Sequence, residues 1–141
     1  MPRAVSRLVP SRTALLIVDL QNYDAHPAYG LGPILRDLDP PAAAYFYDRV
    51  AATVVPNVRR LLARFRESGE QVVYCQSGAL LPDGADLFPR RRARFTGAAD
   101  GRRTIFRKGE VEYEILEALH PAASDVVIHK STVSAFNSSN L

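Results

Sequence analysis

The sequence contains very little cysteine, no tryptophan and no long hydrophobic run. Its single cysteine, Cys75, excludes an intrachain disulfide framework and is typical of a reducing compartment, so we predict a cytoplasmic location. No apolar run approaches the ~20 residues that a membrane-spanning helix needs, and the basic start, Met1–Arg7, lacks the apolar segment of a secretory signal. The net charge of +3, with no aromatic residues interleaved among the basic ones, does not indicate nucleic-acid binding. Neither a membrane nor a nucleic acid is therefore expected as a partner.

Two short apolar runs, rich in valine and isoleucine, each end at a charged residue. Thr13–Val18 ends at Asp19, and Asp125–His129 ends at Lys130. Runs of this kind, without alternation, predict parallel strands buried on both faces in an α/β fold. Because ligands bind outside the carboxyl ends of such strands, we expect Asp19 and Lys130 to form a salt bridge there, on adjacent strands.

Both residues also have ordinary structural interpretations. A strand-end aspartate often caps a helix or a loop, and a strand-end lysine often extends its ammonium group to solvent. The lysine is nevertheless unusual in this composition, because Lys108 is the only other lysine among eighteen basic residues. Because arginine supplies almost all of the other positive charge, a lysine at this position indicates a specific role for a compact ammonium group whose pKa can be adjusted.

The remaining pattern predicts the order β-α-β-loop-α-β in a chain of 141 residues, long enough for one domain with its own core. After the first strand we predict a loop of about twenty residues, followed by a helix from Asp48 to Gly69. Gln71–Cys75 is the predicted second strand, 77–109 a long arginine-rich connection, and Glu112–Leu119 a second helix.

Two motifs in this order resemble those of the isochorismatase-like cysteine hydrolases. Thr13–Asn22, TALLIVDLQN, is similar to the opening motif of that family, and Val127–Phe136, VIHKSTVSAF, is similar to its lysine motif. The resemblance implies a three-layer α/β/α fold with a parallel, Rossmann-like sheet. It also implies a hydrolase that acts on a small amide, ureide or carbamoyl compound. We further predict that this protein needs no cofactor or metal and forms a homo-oligomer.

The resemblance assigns roles to four residues of this chain. Asp19 is the general base, and Lys130 keeps it ionised and places positive charge beside a thiolate or a developing oxyanion. Phe136 corresponds to an aromatic of the pocket wall and Asn22 to a polar residue of the first motif, so both are predicted at the substrate-binding site. Asn22 orients either Asp19 or the loop, and Phe136 has an equally good interpretation as a core residue.

The family's nucleophilic cysteine is expected in a Gly-x-x-Thr-x-x-Cys-Val segment one βα step after the lysine, and this sequence contains no such segment. We therefore interpret residues 1–141 as the N-terminal portion of the domain, incomplete at the C-terminal edge of its sheet and without amide turnover by itself. Two alternatives remain open. One is an isochorismatase-type vinyl-ether hydrolase without the cysteine, and the other is a non-catalytic domain that serves in assembly.

Three further features have mainly structural interpretations. Cys75 ends an apolar strand and is predicted to be a buried small hydrophobe, not a nucleophile. Asp24 and His26 have a metal-like spacing, but two ligands in one loop do not make a catalytic zinc site, so no metal is predicted. The basic stretch between Arg90 and Arg107 is predicted to be a solvated loop or subunit contact, in which a single arginine could bind a substrate carboxylate.

Overall fold

The computed structural model describes residues 8–95, 105–137 and 139. Its regular elements are three strands, five α-helices and a π-helical segment, joined by short 3₁₀ turns. In chain order they are a 3₁₀ turn at Pro10–Arg12, β1 (Ala14–Val18), α1 (Asn22–Ala25), α2 (Leu31–Leu38), α3 (Pro40–Arg49), the π segment (Val50–Val54), α4 (Val55–Glu67), β2 (Gln71–Ser77), α5 (Pro89–Phe95), a 3₁₀ turn at Glu117–Leu119, β3 (Val126–Lys130) and a 3₁₀ turn at Ala135–Asn137.

The three strands form one parallel sheet in the order β1-β2-β3. The α/β class and the parallel sheet predicted from the sequence are thus confirmed. The prediction that the first and third strands are adjacent is wrong, because β2 pairs with both and lies between them. Across the sheet, Val18 is level with Cys75 and Cys75 with Ile128, while Ser77 is level with Lys130. All three strands therefore end at the same edge.

The helix before β2 begins earlier than predicted, at Pro40 and not near Asp48. The side chain of Asp39 caps it by accepting a hydrogen bond from the backbone N–H of Ala42 at 3.0 Å. A proline in the first turn has no N–H to leave unpaired, so the Pro40-Pro41 pair that indicated a loop instead starts the helix. Five residues of π-helix then connect α3 to α4, with the N–H of Val55 donating to the carbonyl of Val50.

Two other predicted segments also differ from the structure. The predicted loop after β1 contains α1 and α2. The predicted helix at Glu112–Leu119 is wrong, because only a 3₁₀ turn forms there. The backbone of that segment pairs with the chain after β1 instead: the carbonyls of Glu112 and Glu114 accept from Tyr23 and Asn22, at 2.9 and 2.8 Å. These contacts use carbonyls that a helix would need for its own hydrogen bonds.

The core lies on the face of the sheet against which α4 packs. It contains apolar side chains from the strands, from α4 and from the turn before β3, among them Ile17, Val72, Tyr74, Leu62 and Leu119. The opposite face is more open: Leu16, Val18 and Val126, which share it by strand register, are each 41–45% exposed. In the described part of the chain, no helix combines the length and the apolar character needed to cross a bilayer.

Candidate active site

The predicted salt bridge between Asp19 and Lys130 is confirmed. The Nζ atom of Lys130 donates to Oδ2 of Asp19 at 2.7 Å and to the carbonyl of Val133 at 3.1 Å. The lysine residue is only 4% exposed. The two strands are two sheet spacings apart, about 10 Å, so the long lysine side chain crosses the end of β2 to reach the carboxylate. The predicted ion pair therefore exists without the predicted strand adjacency.

Asp19 has a backbone conformation that suits this position. Its φ angle is 55°, the left-handed region that non-glycine residues rarely adopt and that aspartate tolerates better than most. Its N–H still continues the sheet by donating to the carbonyl of Cys75 at 3.2 Å. The Oδ1 atom is buried and, among the described residues, has no hydrogen-bond partner. One carboxylate oxygen thus binds Lys130, and the other remains available to accept a proton.

Gln21 connects the strand ends beneath the ion pair and is itself only 1% exposed. Its Nε2 atom donates to the carbonyls of Ser77, at 3.1 Å, and Tyr113, at 2.5 Å. Its Oε1 atom accepts from the N–H of Ser77 at 2.7 Å. One amide therefore fixes the end of β1 to the end of β2 and to the segment before β3, which sets the distance that Lys130 must cross.

A cavity of about 150 Å³ opens beside the ion pair. Its walls combine charged, polar and apolar side chains from both motif strands and from the arginine-rich connection: Asp19, Tyr23, Asp24, Ser77, Arg91, Ile105, Phe106, Lys130 and Val133. A larger and mostly apolar cavity of about 700 Å³ lies elsewhere, between α3 and the chain near Leu116. We regard the smaller cavity as the candidate active site, because it contains the ion pair and lies at the carboxyl ends of the strands.

Among the described arginines of the basic stretch, Arg91 lines this cavity. It lies on α5, and its Nη2 atom donates to the hydroxyl of Ser77 at 2.7 Å. From the sequence we expected that one arginine of this stretch could bind a substrate carboxylate, but the sequence did not indicate which one. The signal was absent because four arginines lie within five positions, and the folding of the connection decides which of them faces the strand ends.

Asp24 is a cavity residue whose place the sequence did not predict. Burial, and next the nearby Asp19 carboxylate, raise the pKa of Asp24 from 3.8 to about 6, against the opposing effects of Lys130 and Arg91. Its sequence neighbour His26 belongs to the local loop, where its Nδ1 atom accepts from the N–H of Ala28 at 3.1 Å. The described residues contain no group of three histidine, cysteine or acidic side chains placed to hold a metal.

The two predicted substrate-binding residues lie outside the cavity walls. Asn22 donates from Nδ2 to the carbonyl of Val111 at 2.8 Å, which holds the loop rather than Asp19. Phe136 is 77% exposed. A substrate-binding role for either residue stays a prediction. Cys75 is fully buried, as predicted, and burial raises the pKa of its thiol.

Fold and site together define an α/β domain with a partly buried carboxylate–ammonium pair at the carboxyl edge of a parallel sheet. The sequence model of one family, described as Isochorismatase domain, matches residues 13–141. This chain belongs to the isochorismatase family.

Similar proteins include ureidoacrylate amidohydrolases RutB. The one from Serratia proteamaculans is 27% identical over 154 residues, which cover 99% of this chain and 55% of that protein. The one from Caulobacter segnis is 28% identical, over 94% of this chain and 54% of that protein. This chain therefore spans about half the length of the curated relatives it matches.

Solved structures give the same result for the fold. A cysteine hydrolase from Pseudomonas syringae pv. phaseolicola has a TM-score of 0.70 at 23% identity, covering 99% of this chain and 56% of that one. An N-carbamoylsarcosine amidase from Thermoplasma acidophilum has a TM-score of 0.55 at 25% identity, covering 91% and 57%.

Proposed function

We propose that this chain forms part of a hydrolase that cleaves a C–N bond in a small amide, ureide or carbamoyl substrate. The observation that carries the proposal is the contact of 2.7 Å between Lys130 and Asp19. It places a cation against one carboxylate oxygen beside a cavity and leaves the other oxygen without a partner among the described residues. A partly buried base with a fixed counter-ion is suited to proton abstraction from a nucleophile.

In the proposed reaction, Asp19 accepts the proton of a thiol as the thiolate attacks the substrate carbonyl. Lys130 stabilises the negative charge, first on the sulfur and then on the tetrahedral intermediate, together with backbone N–H groups. The C–N bond then breaks and water hydrolyses the thioester. The family resemblance assigns the thiol to the Gly-x-x-Thr-x-x-Cys-Val segment described above, and the buried Cys75 is not its replacement.

The names of the relatives support this substrate class. One group is named ureidoacrylate amidohydrolase and one solved neighbour N-carbamoylsarcosine amidase, and both names describe hydrolysis of a ureido or carbamoyl C–N bond. The cavity of about 150 Å³ beside the ion pair has room for a group of that size.

Ammonia release from ureidoacrylate, N-carbamoylsarcosine and a simple primary amide tests the proposal. The assay uses the 141-residue chain and the complete polypeptide that its reading frame encodes. We expect Asp19→Asn and Lys130→Met to lower kcat/KM of the complete polypeptide by about 10²–10⁴-fold. Lys108→Met is the matched control, because it removes the other lysine, which is exposed, and should leave turnover unchanged.

The outcomes separate the alternatives. Hydrolysis of a vinyl ether with no ammonia from any amide would favour the isochorismatase-type reaction. Binding of a protein partner with no turnover of either substrate class would favour the assembly domain. Equal activity of the wild type and of Lys130→Met would contradict the proposed role of the ion pair.

We further propose a cytoplasmic, homo-oligomeric protein. The single cysteine supports the location. The exposed Leu16, Val18 and Val126 on one sheet face support association, because apolar side chains grouped on a sheet face are usually covered. Light scattering of the complete polypeptide tests the oligomeric state, and a monomer at micromolar concentration would contradict it.

A further inference from the structure

Two carboxylates and two cations line the candidate active site together. Asp19 and Lys130 come from the ends of β1 and β3, Asp24 from the short helix α1, and Arg91 from α5. The Asp19 carboxylate is neutralised by direct contact with Lys130. Arg91 places one guanidinium nitrogen against the Ser77 hydroxyl. No described lysine, arginine or histidine forms an ion pair with Asp24, so the two carboxylates have very different surroundings.

Two carboxylates in one small cavity repel each other when both are ionised. The carboxyl group without a contacting cation therefore keeps its proton more readily. Pairs of carboxyls whose environments differ in this way commonly divide the roles of acid and base. Asp19, held by Lys130, is suited to accept a proton. Asp24, in the same cavity without such a contact, is suited to supply one.

We propose that Asp24 is the general acid of this site, which protonates the leaving nitrogen while Asp19 accepts the proton of the nucleophile. This inference rests on the proposed function and adds a second catalytic carboxyl to it. The family motif suggested only the first, because Asp24 lies beyond the Asp-Leu-Gln-Asn segment that carries the resemblance.

The proton balance of the proposed reaction is complete. The thiol proton moves to Asp19 as the C–S bond forms. The C–N bond then breaks, its electron pair goes to nitrogen, and the nitrogen takes the proton of the Asp24 carboxyl. Water attacks the thioester and gives one proton to the Asp24 carboxylate, while the departing thiolate recovers its proton from Asp19. The products are a carboxylic acid and an amine, and both carboxyls return to their initial states.

The groups that face Asp24 decide the pH dependence. Asp19, Lys130 and Arg91 face it across the cavity, and Tyr23 shares its helix. The Tyr47 hydroxyl approaches from α3: burial raises the pKa of that phenol, and the nearby Asp24 carboxylate raises it further. With burial as the largest cause, the pKa of Asp24 is about 6. The acid form is therefore present below this pH and is lost above it, so amide turnover should fall as the pH rises through about 6.

The test compares leaving groups that do and do not need a proton. Asp24→Asn in the complete polypeptide should lower kcat for an amide by about 10²–10⁴-fold and remove the alkaline fall in its pH profile. For a p-nitrophenyl ester of the same acyl group the loss should stay below about tenfold, because nitrophenolate leaves without protonation. Asp24→Glu should recover part of the amide activity. Asp37→Asn, on the exposed part of α2, is the matched control and should change neither rate.

Equal losses on amide and ester, with an unchanged pH profile, would show a structural role and overturn the inference while leaving the proposed function intact. Absence of amide turnover in the wild type would overturn the proposed function as well.

A titration of ¹³C-labelled aspartate carboxyls by NMR tests the role of Asp24 independently of activity. Asp24 should titrate near 6 and shift downwards in Asp19→Asn. A midpoint below about 4, the ordinary value for aspartate, would overturn the inference.

Discussion

Replacing Gln21 by glutamate changes the hydrogen bonds at the strand ends with almost no change of shape. The amide donates to the carbonyls of Ser77 and Tyr113, and a carboxylate can donate to neither. The carbonyl of Tyr113 keeps a second donor, the amide of Gln76 at 3.3 Å. The carbonyl of Ser77 loses the hydrogen bond from position 21, while the N–H of Ser77 can still donate to the carboxylate. At about 1–3 kcal/mol for each buried bond that is broken, we expect Gln21→Glu to lower the free energy of unfolding by about 3 kcal/mol at pH 8.

The loss of stability in Gln21→Glu should increase as the pH rises. Burial raises the folded-state pKa of the introduced carboxyl above its unfolded value of about 4.3. Such a group favours the folded state most strongly when it is protonated, and that contribution disappears as the pH rises through the folded-state pKa. A protonated carboxyl can also donate one hydrogen bond again. The destabilisation should therefore be largest at pH 8 and clearly smaller at pH 5.

Urea unfolding followed by far-ultraviolet circular dichroism measures this effect. With an m-value of about 2 kcal/mol/M, the midpoint should fall by about 1.5 M at pH 8. Gln71→Glu is the matched control, because Gln71 is exposed at the start of β2 and its amide reaches only the carbonyl of Val72. Equal midpoints for the two variants at pH 8, or a loss at Gln21 that does not change with pH, would refute the reasoning.

Three further predictions concern stability and reactivity. Asp125→Asn should lower the free energy of unfolding by about 2 kcal/mol, because it weakens a charge-assisted pair between the buried Asp125 side chain and the partly exposed Arg66. The same bonds lower the pKa of Asp125 despite its burial, so its stabilisation should be lost only in acid, as the pH falls below the ordinary aspartate range. Cys75 should resist iodoacetamide in the folded protein, because its thiol is buried and its pKa is raised. Gly78→Ala should lower the urea midpoint, because a Cβ there would lie 2.5 Å from the carbonyl oxygen of Phe106.

The two predictions on stability each have an internal comparison. Asp83→Asn weakens an ion pair with Arg92 that is exposed on both sides, so it should cost less than about 1 kcal/mol. Gly69→Ala has an unfavourable φ of 68° but nothing within 4 Å, so its loss of about 1 kcal/mol should be smaller than that of Gly78→Ala. Similar losses of stability in Asp125→Asn and Asp83→Asn, or in Gly78→Ala and Gly69→Ala, would contradict the corresponding prediction. Stoichiometric alkylation of Cys75 under native conditions would contradict the prediction that its thiol is unreactive.

The strands and the ion pair could be predicted from the sequence because their signals are local. Valine- and isoleucine-rich runs define β1 and β3, and the charged residue that ends each run lies at the carboxyl edge of any parallel sheet. The sheet order could not be predicted in the same way. It depends on which strand β3 joins, and a lysine long enough to cross one strand forms the same contact in either order.

The errors occur where distant backbone contacts override a local preference. Glu112–Leu119 has a helical pattern, but its carbonyls bind the N–H groups of Asn22 and Tyr23, which are about ninety residues away in the sequence. Arg91 and Asp24 were not recognised as cavity residues for a related reason. Neither lies in a motif, and their proximity to Asp19 arises only when α1 and α5 fold over the same strand ends.

The π segment fixes the rotational phase between the two halves of the long helix that starts at Pro40. Its i to i−5 hydrogen bond, from Val55 to Val50, accommodates one residue more than an α-helical turn would. Deleting one residue from Val50–Val54 would restore α-helical pairing, and because four α-helical residues turn by about 400°, close to the turn of five π-helical ones, α3 would keep its orientation relative to α4. Ala43 and Tyr47, only 4% and 8% exposed, would then keep their present contacts. A single-residue deletion in this segment should thus be tolerated far better than one within α3 or α4, where it would rotate one part of the helix against the other by about 100°. Natural length variation should fall inside the π segment.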